Sequence, residues 1–110
     1  MKKDYRIKKN EEFSEIISHK KSISNATFVF YLGEKKEEHA RVGLSVSKKL
    51  GNAVIRNKIK RQIRMMFLEI FDFENYPYDV ICIARNKYLA QSYDSNEAEL
   101  EKLIKKAIID

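Results

Sequence analysis

The spacing of apolar residues changes several times along the chain, and each change marks an element. Phe13, Ile16 and Ile17 share one face at helical spacing, so residues 10–20 predict a short helix. Asn10 is its expected N-cap, and Glu11 and Glu12 favour the positive end of the helix dipole. Lys20 and Lys21 suit its C-terminal end. Residues 26–32 are rich in β-branched and aromatic side chains, which predicts a strand. Alternation puts Phe28, Phe30 and Leu32 on one face and Thr27, Val29 and Tyr31 on the other. A charged turn from Gly33 to His39 follows. Residues 41–46 then predict a second strand, with Val42, Leu44 and Val46 on one face. Their closeness in sequence makes an antiparallel hairpin the expected pairing of these two strands.

Residues 47–51 read as a loop, and residues 52–71 as a long helix. Ile55, Ile59, Ile63, Met66, Phe67 and Ile70 form its apolar stripe. Arg56, Lys60 and Arg64 lie on the adjacent face, with Asn57 and Arg61 just beyond. Residues 72–78 hold the only proline, Pro77, and read as a loop. Val80–Ala84 is continuously apolar, as a central buried strand is. After polar residues 86–94, Ser95 is placed to cap a last helix along which Leu100, Leu103, Ile104, Ala107 and Ile108 align. The order α-β-β-α-β-α predicts one α+β sandwich domain over residues 1–110, with a three- to four-stranded sheet. If the strands flanking the long helix are parallel, their crossover would ordinarily be right-handed.

Composition narrows the function. No run of 18 apolar residues exists, so no membrane-spanning helix is expected. No apolar stretch follows Met1–Arg6, so no secretory signal is read and a cytoplasmic location is expected. The net charge is +6, and its distribution is uneven. Residues 41–68 contain eight basic residues and no acidic one, leaving 14 basic against 16 acidic residues elsewhere. Solvated helix faces usually mix both signs, so this segment points to a polyanion, most often a nucleic acid. Arginine forks match phosphate oxygens bidentately, and Asn57 can read a base edge or a ribose hydroxyl.

Aromatic residues add candidates for base stacking: Phe13, Phe28, Phe30, Tyr31, Tyr76, Tyr78 and Tyr88. Phe28 and Phe30 fit the core better. Tyr31 faces the other way with a polar tip and is the better contact, while Phe13 fits either role. Cys82 sits in an apolar strand and reads as an inert core thiol. His19 and His39 flank charged turns and read as surface residues. No carboxylate cluster accompanies the basic segment, so no catalytic or metal-binding residue is assigned, and no small-molecule substrate is expected.

The run from Val42 through Ser47-Lys48-Lys49-Leu50-Gly51-Asn52 and Arg56-Asn57-Lys58-Ile59-Lys60-Arg61 to Arg64 closely resembles the signature of the bacterial ribonuclease P protein subunit. Lys8–Phe13, Phe28–Tyr31 and Asp79–Arg85 extend the likeness, which covers about residues 5–108. The resemblance implies a compact sandwich with a left-handed β-α-β crossover, opposite to the ordinary hand. It implies the protein component of an endoribonuclease ribonucleoprotein that removes the 5′ leader of precursor tRNA. The catalytic centre would lie in the RNA, which would also hold most of the Mg2+. The implied partners are the catalytic RNA and the leader, with no membrane. Lys48, Lys49, Asn52, Arg56, Asn57, Lys58, Lys60, Arg61 and Arg64 match the RNA-binding pattern. Phe13, Ile17 and Tyr31 match the leader cleft, with Ile17 standing where some relatives have phenylalanine. Residues 24–27 lack an arginine found in many relatives, and Asn86 stands where some have lysine.

Three other functions compete. A general RNA- or ribosome-binding module would use the same basic helix and is separated only by the long motif. A stand-alone nuclease needs a carboxylate–metal cluster. A helix-turn-helix DNA-binding protein needs a short helix just before the basic one, where this chain predicts a strand.

Overall fold

The computed structural model describes residues 1–109. Three helices, α1 (Asn10–Ser18), α2 (Ala53–Ile70) and α3 (Tyr93–Ile109), pack on a four-stranded sheet. Its strands are β1 (Ser22–Ser24), β2 (Phe28–Glu34), β3 (Val42–Ser45) and β4 (Tyr78–Ala84), in spatial order β1-β2-β4-β3. Short 3-10 turns at Lys3–Tyr5, Lys48–Leu50 and Asn86–Ala90 complete the chain.

The expected hairpin does not form. β2 pairs antiparallel with β4, and β3 pairs parallel with β4, so β4 inserts between the two strands that are neighbours in sequence. Burial explains the choice. Val80–Ala84 is apolar on both faces and needs neighbours on both sides, so it takes the centre. β3, α2 and β4 thereby make a β-α-β unit. The short strand β1, in a stretch the sequence pattern leaves unassigned, pairs antiparallel with β2 at the edge. Arg6 bridges to Val42 in parallel, extending the opposite edge by one residue pair.

The sheet has two unequal faces. Phe28, Phe30, Leu32, Val42, Val80 and Cys82 lie under α2 and α3, against Ile59, Ile63, Met66, Phe67, Leu100 and Leu103. Ile55, at the start of the expected stripe, stays 40% exposed on the flank it shares with Lys58 and Gln62. Tyr76 and Tyr88 are buried in this core, each hydroxyl donating within the protein, to Ile104 O and to Gln62 Oε1. They are therefore structural, not stacking residues. Cys82 is fully buried, and desolvation pushes its thiol pKa up, as expected of an inert core thiol.

α1 and the N-terminal segment at Ile7 cover the other face. Ile7, Ile16 and Ile81 form a small second core there, with Phe13, Tyr31 and Ile83 packed against it. Two glycines let α1 approach. A Cβ on Gly43 would stand 2.7 Å from Phe13 Cζ, and one on Gly33 would stand 2.8 Å from Ile16 Cγ1. The helix bounds differ from expectation at both ends. Asn10 is its first residue, the N-cap is Lys9 without a side-chain cap bond, and the helix stops at Ser18 before Lys20, whose φ of 57° is left-handed. Ser95 is likewise inside α3 and does not cap it; its N–H donates to Ser92 Oγ.

Candidate nucleic-acid interface

α2 begins where Asn52 Oδ1 accepts from Ile55 N at 3.1 Å, an N-cap bond. From that fixed start, helical spacing sends its cations to two sides. Asn57, Lys58 and Arg61 are exposed on the outer side, while Arg56, Lys60 and Arg64 are half-buried along one flank. The Arg56 guanidinium is partly engaged, its Nε donating to Gly51 O at 3.2 Å. Lys48 and Lys49 are exposed on the 3-10 turn before α2, held by Ser47 Oγ, which accepts from Lys49 N. Among the described residues, no cation of α2 pairs with a carboxylate.

Arg41 differs from the rest of the acid-free run. Its guanidinium donates to Glu12 Oε2 at 2.6 Å and to Asp79 Oδ2 at 3.0 Å, and Asp79 is fully buried. Asp79 Oδ1 also accepts from Arg41 N. Hydrogen bonding to Arg41 holds the Glu12 carboxyl below its ordinary range. Arg41 is thus a structural cation that ties α1 to β3 and β4, and it leaves the polyanion-facing set.

Lys60 and Arg64 reach a cavity of about 660 Å³ between α2, β3 and the N-terminal segment. Arg6, Lys8 and Phe13 line the same cavity. Desolvation, then the charge of Arg6, lowers the Arg64 pKa, and Arg6 Nε is buried without a hydrogen-bond partner. Two guanidiniums facing one space without a counter-charge favour an anion between them. Sequence reasoning missed Arg6 and Lys8. They reach the site only because the N-terminal segment lies along β3, and nothing local signals that.

Cation and aromatic therefore meet at one rim, with Phe13 facing the cavity that Lys60 and Arg64 enter. The registers place Ser45, Ile83, Val29 and Ser24 in one row, and Gly43, Ile81, Tyr31 and Ser22 in the next. Tyr31 is half-buried in the second row. Ile17 is 36% exposed on α1 beside Ile16. Gly43 and Ile81 of the second row are buried beneath α1, while Ile83, Val29 and Tyr31 stay partly exposed beside that helix, at the end of the sheet away from the α2 cations.

The family model for Ribonuclease P matches residues 1–108. The ribonuclease P protein component of Mesoplasma florum is 50% identical over 105 residues, covering 94% of this chain and 96% of its own. That of a Geobacillus species is 45% identical over 108 residues, covering 97% and 93%. The solved ribonuclease P protein of Staphylococcus aureus superposes with a TM-score of 0.82 at 42% identity, covering 94% of each chain. The chain belongs to the ribonuclease P protein family. Members of that family are the protein component of the ribonucleoprotein that matures the 5′ end of tRNA.

Proposed function

We propose that this chain is an RNA-positioning subunit with two contact surfaces that meet at one rim. Lys48, Lys49, Asn52, Asn57, Lys58 and Arg61 engage the catalytic RNA from the outer side of α2. The surface of Phe13, Ile17 and Tyr31 takes the 5′ leader of precursor tRNA. Lys60 and Arg64 stand between the two, with Arg56 beside them on the same flank. The observation that carries this reading is the shared cavity, in which Phe13 and the α2 cations line one space.

The chain's own chemistry is binding and orientation. Cations at the rim hold phosphates, the second surface keeps the leader single-stranded, and together they set the tRNA against the RNA. The Mg2+ that activates water in phosphodiester hydrolysis needs oxygen ligands, mostly carboxylate or phosphate. The cavity is lined by cations, amide, hydroxyl and apolar groups, without a carboxylate, and does not fit that ion. We therefore place the ion and the bond cleavage on the RNA.

Reconstitution tests the proposal. Purified protein added to a bacterial ribonuclease P RNA at low Mg2+ accelerates 5′-leader removal from precursor tRNA. The protein alone, shown free of RNA, leaves the substrate intact. Cleavage by the RNA-free protein, or no stimulation of the RNA, refutes the assignment.

A further inference from the structure

A second concavity lies on the opposite flank of α2, away from the first. It is a groove of about 340 Å³ between α2, the 3-10 turn Asn86–Ala90 and the start of α3. That volume is at the small end of ligand pockets, roughly 300–1,000 Å³, and admits one planar ring system. Ile55 and Leu89 form its exposed apolar walls, 40% and 54% accessible. Exposed leucine and isoleucine around a concavity mark a recognition site more often than scattered surface apolar residues do.

Its polar groups are fixed in place. Asn96 is 2% exposed, and its Nδ2 donates to Tyr88 O at 3.0 Å. Asn96 Oδ1 must then accept, and it does so from Gln91 Nε2 at 2.8 Å. That bond sets the orientation of the Gln91 amide and leaves its Oε1 as a free acceptor. Gln62 Oε1 accepts from Tyr88 Oη at 2.9 Å, which leaves Gln62 Nε2 as a free donor. One wall thus presents a donor and an acceptor, the pair that a base edge complements.

Charge selects the occupant. Lys58 lines the groove, and the turns carrying Lys48, Lys49 and Lys87 pack together beside it. The opposite end is acidic: Tyr93 Oη donates to Glu69 Oε1 at 3.4 Å, and Asp94 and Glu97 stand close by. A polyanion backbone is drawn to the Lys58 end and repelled from the Tyr93 end. We propose that this groove receives one unpaired base of the partner RNA, turned out of its helix. The base packs between Ile55 and Leu89, Gln62 and Gln91 meet its edge, and its phosphate rests on Lys58. The inference depends on the RNA-subunit reading above.

The test uses the full-length protein with a bacterial ribonuclease P RNA. Leu89→Ala should bind about five- to tenfold more weakly, the low end of what losing one stacked base costs. Its salt dependence should match the wild type. Lys58→Gln should lower the slope of log K against log salt by about 0.7–0.9. Leu89→Phe should keep wild-type affinity, since an aromatic wall also stacks. Chemical probing should find one base protected by the wild type and reactive again with Leu89→Ala. Wild-type affinity in Leu89→Ala, with no base changing reactivity, overturns the groove and leaves the subunit reading intact. No binding by the wild type overturns both. If the wild type dimerises and Leu89→Ala does so no longer, at unchanged RNA affinity, the groove is a self-association surface and the proposal fails.

Discussion

Two residues show how one side chain can serve stability and recognition together. Asn52 caps α2 and also stands in the basic signature. Asn52→Ala should cost about 1 kcal/mol, read by denaturant unfolding. Asn52→Asp keeps the cap and suits the helix dipole, so its stability should hold while RNA binding weakens. Equal loss of stability in both variants would show that the cap is not what Asn52 supplies. Glu12 gives a pH signature. Its folded pKa lies below the ordinary 4.5 because it accepts from Arg41. The stability it adds is therefore present above about pH 4.5 and is lost as pH falls through the depressed folded value. Glu12→Gln should be less stable than wild type at pH 7, and the gap should close in acid. Urea titrations at pH 7 and pH 3 measure it; a gap independent of pH contradicts the ion pair. From sequence, Arg41 is indistinguishable from the other cations of the acid-free run. Its buried acceptor Asp79 is 38 residues away and meets it only in the folded sheet.

At the scale of elements, α1 sits on the sheet because β3 offers it a glycine. Gly43→Ala pushes a Cβ within 2.7 Å of Phe13 and 2.9 Å of Ile81. Overpacking of this kind costs about 1–3 kcal/mol, and here it should also displace Phe13 from the cavity. Unfolding curves and leader binding should both suffer; a neutral Gly43→Ala would mean that α1 moves freely on the sheet. The contact between α2 and α3 carries a pH dependence of opposite sign. Hydrogen bonding to Glu69 raises the Glu97 pKa to about 7, with desolvation adding to it. The native state then binds the extra proton between about pH 4.5 and 7, so stability falls as pH rises through that window. Glu97→Gln should be the more stable protein above pH 7 and lose that advantage towards pH 4.5. Thermal unfolding across this range decides it, and no relative gain for Glu97→Gln at high pH would contradict the carboxyl pair. The helices were legible in sequence because their apolar stripes repeat locally. The pairing of β2 with β4 was not, because closeness in sequence favours the hairpin with Arg41–Val46, which does not form. Only the two-sided burial of β4 overrides that closeness.

For the whole molecule, the distribution of charge and the shape of the sheet point to one function. The acid-free run located the basic helix α2 directly from sequence. Asn57, Lys58 and Arg61 are exposed and unpaired as expected, and Lys60 and Arg64 flank a cavity. Sequence alone does not show how near Phe13 lies to the α2 cations; the fold brings them to one cavity. β3 and the N-terminal segment close the distance, so Phe13, Arg6, Lys60 and Arg64 share one cavity. The central claim is that the flank of α2 carrying Arg56, Lys60 and Arg64 faces phosphate. The most direct measurement is the salt dependence of affinity for a bacterial ribonuclease P RNA. The triple variant Arg56→Gln, Lys60→Gln, Arg64→Gln should stay folded and lower the slope of log K against log salt by about two to three, at roughly 0.7–0.9 per contact. A folded triple variant with the wild-type slope would show that this flank does not touch the RNA backbone.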